Sequence, residues 1–406
     1  MKLRYNYRIY PTAQQQERLA QTFGCSRVVW NDSLALIKGL EDGERWPSNS
    51  ELQKLVITQA KQTEQRSWLS GVSNIPLQQS VRDLGTALSA FFKALKGERK
   101  GQRIGFPRFK KRHDNQSARF ARHGFSIRDH GKLFLAKIGE LKVQWSRSLP
   151  SEPSSVTVLK NKTGQYHVSF VVDVDIPFIP AQYEAVGIDL GIKTFAVTSN
   201  GEYIQSPGYE RLERKIRRFQ RKLSRQVKGS NRWQQTKHRI AKLHLKIANI
   251  RNDFLHKVST KLVKESQIIC LEDLNVKGMV KNRKLARAIS RQGWGIFRMM
   301  CEAKSVMYGR EFQLINRWEP TSQVCSSCGY RWGKLDLSVR EVVCINCHAK
   351  HDRDGNAAIN IKRSGVVQSQ DRKNGRGVSV RPGSQAVCNE ASTRLVERNG
   401  QLCLPL

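Results

Sequence analysis

Four cysteines, Cys325, Cys328, Cys344 and Cys347, fall in a C-x2-C-x15-C-x2-C pattern. Two thiolate pairs joined by a short hairpin close a tetrahedral zinc site and leave no open coordination position, so such an ion would hold a fold together and perform no chemistry. Two redox pairs or four free thiols are the plain alternatives, and the doubled spacing disfavours both. A loop this small has no core of its own, so bound zinc would supply local folding energy.

A second set of residues is acidic. Asp189 lies in GIDLG at the centre of an apolar run, and Glu272 ends another, SQIICLEDLN. An unpaired carboxylate in either place is costly. Asp352 and Asp354 open HDRDGNAAIN, a helix start whose Ala357 and Ala358 allow close approach to a sheet. Carboxylates gathered from separate elements repel one another unless divalent cations bridge them, and in a strongly basic chain the substrate they suggest is a phosphodiester. Taken alone, an Asp at a helix start is more often a cap than a ligand. Positions two apart do not share a helix face, so one of Asp352 and Asp354 is the ligand while the other caps the helix or pairs with Arg353.

Composition sets the class of partner. The 406 residues carry 71 Lys+Arg against 34 Asp+Glu, a net charge of +37. A surface so one-sided repels itself unless a polyanion neutralises it, and nucleic acid is the expected partner. The bland alternative is a solvated basic face or a ribosome-like RNA binder. With 39% hydrophobic and 26% charged residues the chain is globular. The start, MKLRYNYRIYPT, has charges with no apolar run behind them, and no later window offers the roughly 18 apolar residues of a spanning helix. The expectation is therefore no membrane partner and a cytoplasmic location. Five cysteines stand alone (Cys25, Cys270, Cys301, Cys388, Cys403) and are expected as reduced thiols.

These chemical groups need elements to place them. LRYNYRIY at 3–10 reads as a strand, and Thr12 as the N-cap of a helix carrying Leu19, Phe23, Val28 and Leu34 at helical spacing, within a helical stretch over 11–100. KGERKGQRIGFPRFKKRHDNQSARF then reads as a basic extended loop, with Phe106, Phe109 and Phe120 among Arg108, Lys110, Lys111 and Arg112. Rings placed so could stack on bases while the cations meet phosphates. Residues 124–176 alternate as strands with a hairpin at Lys162 to Gly164, and another hairpin turns at Asn200-Gly201. Residues 211–264 read as an antiparallel helical hairpin whose outer face carries Arg214, Lys215, Arg217, Arg218, Arg221 and Lys222.

In this order the motifs YRIYPT, GFPRFKKR, GIDLGIKTFAV, LEDLNVKGM, the paired cysteines and HDRDGNAAINI resemble the TnpB (OrfB) family of transposon-encoded RNA-guided nucleases, relatives of the type V CRISPR effectors. The resemblance runs to about residue 365. It implies an α/β multidomain chain: a β-barrel-like wedge domain (1–10 and 116–180) carrying a helical recognition insertion (11–115), and an RNase H-like, RuvC-like nuclease domain (181–320 and 351–365) with a zinc-ribbon insertion (321–350). Residues 366–406 are expected as a disordered tail. Asp189, Glu272 and Asp354 would be the catalytic carboxylates and hold two Mg2+ ions, activating a water for in-line attack on the phosphodiester. One structural zinc would sit on Cys325, Cys328, Cys344 and Cys347. The partners implied are a guide RNA from the transposon end and target double-stranded DNA beside a short flanking motif, bound by a monomeric protein in a ribonucleoprotein associated with the nucleoid. Asn74 and Gln78 resemble positions near the flanking duplex, and Arg108, Lys110, Lys111, Arg214 and Arg218 would meet nucleic acid.

Three rivals use the same residues. Actin-like and Hsp70-like ATPases share GIDLG but need further glycine-rich phosphate loops, and none stands between 200 and 365. A catalytically inactive RNA-guided DNA-binding regulator would not need an intact acidic trio. A DDE-type transposase would join DNA ends without a guide, and the place of the cysteine ribbon disfavours it.

Overall fold

The structure, a computed structural model, describes residues 1–41, 43–98, 104–336, 338–373 and 401–402. The described chain divides into two compact units, one of residues 1–175 with 401–402 and one of residues 176–373. No described helix is long and apolar enough to cross a membrane.

In the first unit β1 (Lys2–Tyr10) leads into α1 (Ala13–Lys38), α2 (Asn49–Gln53) and α3 (Asn74–Leu95). Thr12 closes a capping box with Gln15, which satisfies orphan N–H groups at the start of α1. Strands β2 (Gln116–Ala121), β3 (Phe125–Ile127), β4 (Leu133–Leu135), β5 (Gly139–Gln144), β6 (Ser155–Lys160) and β7 (Tyr166–Asp173) follow. Their hydrogen-bonded order is an open path, β2-β6-β7-β1-β5-β4-β3. Alternation buries Tyr7, Ile9, Phe120, Val168 and Phe170 on one face, where Leu19 and Phe23 of α1 join them. The other half of α1 (Val29, Trp30, Leu34) packs with Leu77, Val81 and Leu84 of α3 in a separate helical core.

The second unit holds β8 (Tyr183–Leu190), β9 (Ala196–Thr198), β10 (Tyr203–Ile204), α4 (Glu210–Ser224), α5 (Asn231–Glu265), β11 (Ser266–Glu272), α6 (Val276–Met279), α7 (Ala286–Gln292), α8 (Trp294–Met307) and β12 (Glu311–Ile315). After them come the short pair β13 (Glu341–Val343) and β14 (Lys350–Asp352) and a closing helix, α9 (Arg353–Lys373). The sheet order is β10-β9-β8-β11-β12, with β8, β11 and β12 parallel and the β8-β9-β10 meander antiparallel. Strand alternation sorts the two faces. Val186, Ile188, Ile269 and Leu271 face a core made with Leu255, Leu262, Phe297 and Met300 of α5 and α8. Ala185, Ile268 and Cys270 face Ile361 of α9 on the other side.

Small residues let α9 lie directly on that second face. A Cβ on Gly187 would stand 2.1 Å from the Ala358 carbonyl oxygen and 2.5 Å from the Lys362 nitrogen, and one on Gly365 would stand 2.3 Å from Cys270 Sγ. Advancing two residues along β8 from Gly187, about 6.6 Å, matches stepping back four along α9 from Ala358, about 6 Å. Asp189 and Asp354 are thereby brought level at the carboxyl ends of the strands.

The same contacts correct the expected tail. Residues 366–373 continue α9, because its inner face (Ile361, Gly365, Ser369) packs on the sheet, and Ser369 Oγ hydrogen-bonds Glu311. That face is small where sequence reading looks for large apolar residues. Residues 401–402 pair beside Lys2 and Leu3; 374–400 and 403–406, with Cys388 and Cys403, lie outside the described residues.

Gly187→Ala should destabilise the second unit by at least about 1–3 kcal/mol, since the clash is with helix backbone that cannot swing aside. Gly365→Ala, which meets a movable thiol, should cost less. Urea denaturation of both variants checks the order, and an undisturbed Gly187→Ala would mean that α9 is not docked on β8.

Candidate active site

Leu271 stands opposite Ile188 across the parallel β8–β11 ladder. The next residues along, Asp189 and Glu272, are therefore neighbours at the strand ends, where adjacent backbones run about 4.8 Å apart. Both are half-buried. Burial pushes the Asp189 carboxyl well above the ordinary carboxylate range, and repulsion from Glu272 and Asp354 pushes it further; Arg353 and a backbone N–H at Leu190 oppose this. Burial also raises Glu272, against a hydrogen bond donated by Thr321 Oγ1 at 2.7 Å.

Asp354 arrives from the first turn of α9. Its carboxylate pairs with the Arg340 guanidinium at 3.1 Å. Asp352 resolves the choice left open between the two acids: its Oδ1 accepts from the Gly355 N–H at 2.8 Å, which caps α9, and Arg353 instead donates to the Asp336 carbonyl at 2.7 Å. The Tyr203 hydroxyl of β10 donates to Asp352 from the other side, one of the influences that raise its own pKa after burial. Carboxylate oxygens are the donors a hard divalent cation prefers, although among the described residues only the cysteine sulfurs lie close enough together to hold an ion as they stand.

The four cysteines converge. Their sulfurs all lie within 4.8 Å of one another. Cys325 to Cys347 is 3.7 Å and Cys328 to Cys344 is 3.6 Å, close to the roughly 3.8 Å edge of a tetrahedron with 2.3 Å metal–sulfur bonds. A metal there fits the thiols present. His351 Nε2 lies 3.1 Å from Cys325 Sγ, where an N–H would stabilise a thiolate.

Two asparagines of NAAIN fasten this knuckle to the acidic helix. Asn356 accepts from the Ser326 N–H at 2.7 Å and donates to the Val324 carbonyl at 2.7 Å. Asn360, one turn on, donates to the carbonyls of Thr321 and Val324 at 2.8 Å. Since Thr321 also holds Glu272, the knuckle, α9 and β11 form one connected network. Sequence reading missed Thr321, Arg340, Asn356, Asn360, Tyr203 and His351 as parts of the site. The i,i+4 spacing of Asn356 and Asn360 is the one signal that could have pointed to a shared polar helix face.

The nucleic-acid candidates lie elsewhere. Arg214 and Arg218 are exposed on α4, whose inner strip holds buried Ile216. Asn74 opens α3, accepting from Lys61 Nζ, and half-buried Gln78 follows one turn later. Arg108, Lys110 and Lys111 are exposed, yet their loop is fastened to α1. Trp30 donates to the Arg108 carbonyl at 3.1 Å, Asn31 brackets the Lys110 backbone, and Lys110 Nζ sits 3.6 Å from the Trp30 ring centre. The expected interleaved rings are not all available for stacking. Phe120 is fully buried on β2, where alternation turns it inward, and Phe106 packs edge-on to Phe91.

Comparison with known proteins matches residues 169–283 to a family described as "Probable transposase", residues 294–361 to "Cas12f1-like, TNB domain", and residues 1–40 to "Helix-turn-helix domain". In that last span the structure has one strand and the single long helix α1. A protein of Streptomyces pristinaespiralis named "Putative RNA-guided DNA endonuclease" is 42% identical over 374 residues, covering 91% of this chain and 90% of the relative. One of Escherichia coli (strain K12), "Putative RNA-guided DNA endonuclease InsQ", is 30% identical over 380 residues, covering 89% of this chain and 92% of the relative. A solved Cas12f1-sgRNA-target DNA complex aligns over 89% of this chain and 99% of that one, at 16% identity and a TM-score of 0.32, too distant to define the fold.

The raised carboxyls predict a pH signature in metal-free protein. Folded Asp189 and Glu272 keep protons that the unfolded chain releases near the ordinary carboxylate pKa, so their contribution falls as pH rises through that window and levels off above the folded values. In EDTA, Asp189→Asn should therefore raise Tm at neutral pH, by roughly 2–4 °C for each kcal/mol of repulsion relieved, and flatten the decline. Scanning calorimetry from about pH 4 to pH 8 checks this; a lower Tm would mean that the carboxylate is not under strain.

Proposed function

The chain belongs to the TnpB (OrfB) family of RNA-guided DNA endonucleases, and on that premise we propose that it cuts guide-selected DNA by Mg2+-dependent hydrolysis at Asp189, Glu272 and Asp354. The observation that carries the reading is the side-by-side register of Asp189 and Glu272 at parallel strand ends, with Asp354 delivered across them by α9. The sheet order, an antiparallel meander followed by two parallel strands, supports an RNase H-like nuclease domain over residues 181–320 and 351–365, interrupted by the ribbon at 321–350. Residues 1–10 and 116–180 would then be the wedge, and 11–115 its recognition insertion.

When bound, Mg2+ would act as a Lewis acid on the phosphodiester and lower the pKa of the attacking water. The chain's own part is positional. Thr321 fixes the Glu272 carboxylate, Asp352 caps the helix that carries Asp354, and Arg340 balances the Asp354 charge. Zinc held by Cys325, Cys328, Cys344 and Cys347 would make the ribbon a rigid brace for α9. A guide RNA and its DNA target would be the polyanions that offset a net charge of +37, with the exposed cations of α4 and the 104–112 loop meeting backbone phosphates.

Protein purified from cells that carry its native flanking DNA should retain a discrete RNA. With Mg2+ that complex should cut a plasmid library of randomised flanks beside one short motif, and Asp189→Ala should abolish cutting. A discrete RNA without cutting would move the function to guided binding, and guide-independent joining of DNA ends would favour a transposase. Asp354→Ala should abolish cutting while RNA is retained, whereas Asp352→Ala, which removes a cap worth about 0.5–2 kcal/mol, should leave a slower enzyme. The reverse order would show that the two roles are exchanged.

A further inference from the structure

Trp318 is 85% exposed, more so than any other large apolar side chain among the described residues. An indole can bury on the order of 200 Å2, so leaving it in water forfeits a large hydrophobic gain unless a ligand covers it. Among the described residues the side chain has no ring partner and no cation partner, while the chain on either side of it is closely held.

The backbone of the segment is fixed from three directions. The Trp318 N–H donates to Asn316 Oδ1 at 3.0 Å, the Glu319 N–H to the Asn316 carbonyl at 3.1 Å, and the Thr321 N–H to the Glu319 carbonyl at 2.9 Å. Before it, Arg317 Nε donates to the Asp273 carbonyl at 2.9 Å, and the Asp273 carboxylate is also held by Arg298 at 2.7 Å. After it, Glu319 accepts from Ser364 Oγ at 3.0 Å, and Thr321 binds Glu272. A flexible loop with a stray aromatic would not be tied at every neighbour.

Its place is equally specific. Ile315 is the register partner of Glu272 across β11 and β12. Trp318 follows three residues later, so its Cα stands within roughly 10–15 Å of the Glu272 Cα. A ring presented from a fixed backbone at that distance from Glu272 is suited to an unpaired base flanking the phosphodiester under attack, since every base offers a π-face and stacking is tolerant of sequence.

We propose that Trp318 is a substrate-positioning residue: its indole stacks on a nucleobase of the single strand entering the carboxylate site. This rests on the nuclease reading above but is separable from it, because stacking needs no cutting.

The test uses full-length protein with its co-purified RNA, in EDTA, and a single-stranded oligodeoxynucleotide carrying one 2-aminopurine scanned along its length. Wild-type protein should quench the probe at one or two positions. Trp318→Ala and Trp318→Leu should lose that quench and weaken binding by roughly 5- to 150-fold, as expected for one lost base–aromatic stack. Trp318→Phe should keep most of both. Trp68→Ala, removing another solvent-accessible indole, should behave as wild type, and Tm should be unchanged in the Trp318 variants. Wild-type affinity in Trp318→Ala would overturn the proposal, as would wild-type affinity in Trp318→Leu, which would reduce the contact to apolar burial by a base, a protein or a second copy. If the wild type quenches and Trp318→Ala does not, while no condition yields cutting, the stack stands and the nuclease reading falls.

Discussion

Two carboxylates at the ends of neighbouring parallel strands, in a place where water is scarce, cannot both ionise cheaply. That repulsion is the constraint around which the second unit is organised. Asp189 and Glu272 do not relax apart, because the parallel ladder that leads up to them is fixed by a core on both faces. The carboxyls are instead held above their ordinary range. Strain of this kind at one point, compensated by packing elsewhere, is characteristic of a site kept for chemistry.

Bringing the Asp354 carboxylate within electrostatic reach of Asp189 is the task of α9. Helix N-termini favour negative charge, and Asp354 stands in the first turn of α9 while Asp352 satisfies the N–H at Gly355. Docking needs the absence of side chain at Gly187, and orientation needs the amides of Asn356 and Asn360 on the first knuckle. The knuckle in turn holds its shape through four convergent thiols. A ribbon with almost no apolar core thus acts on the acids through hydrogen bonds to backbone, which transmit position more faithfully than a hydrophobic contact of equal size.

Charge elsewhere in the chain is distributed differently from charge in the site. The acids are few and framed by structure, while exposed cations of α4 lie on a face whose opposite side is pinned inward by Ile216 and by the Glu213 ion pairs with Arg287 and Arg291. The GFPRFKKR loop is extended, yet its aromatic residues serve largely as anchors to α1 and α3. Its cations are therefore presented from a fixed frame.

Much of this was legible before any coordinates. Short apolar runs placed Asp189 and Glu272 on buried strands, the cysteine spacing announced the knuckles, Thr12 marked a helix start and Asn200-Gly201 a hairpin, because each of these depends on neighbours within a few residues. Spacing led to the expectation of one ligand and one cap among the acids of HDRDGNAAIN, and only the family resemblance pointed to Asp354 as the ligand. The tertiary structure decided the rest: that Asp352 is the cap, that Arg340 and Thr321 hold the acids, that Asn356 and Asn360 reach the knuckle, and that α9 runs on to Lys373. Those facts depend on groups that come from distant parts of the chain and meet through small side chains and backbone carbonyls. Such groups leave no periodic signal in sequence, because their partners are set by the packing of helix on sheet and not by spacing along the chain.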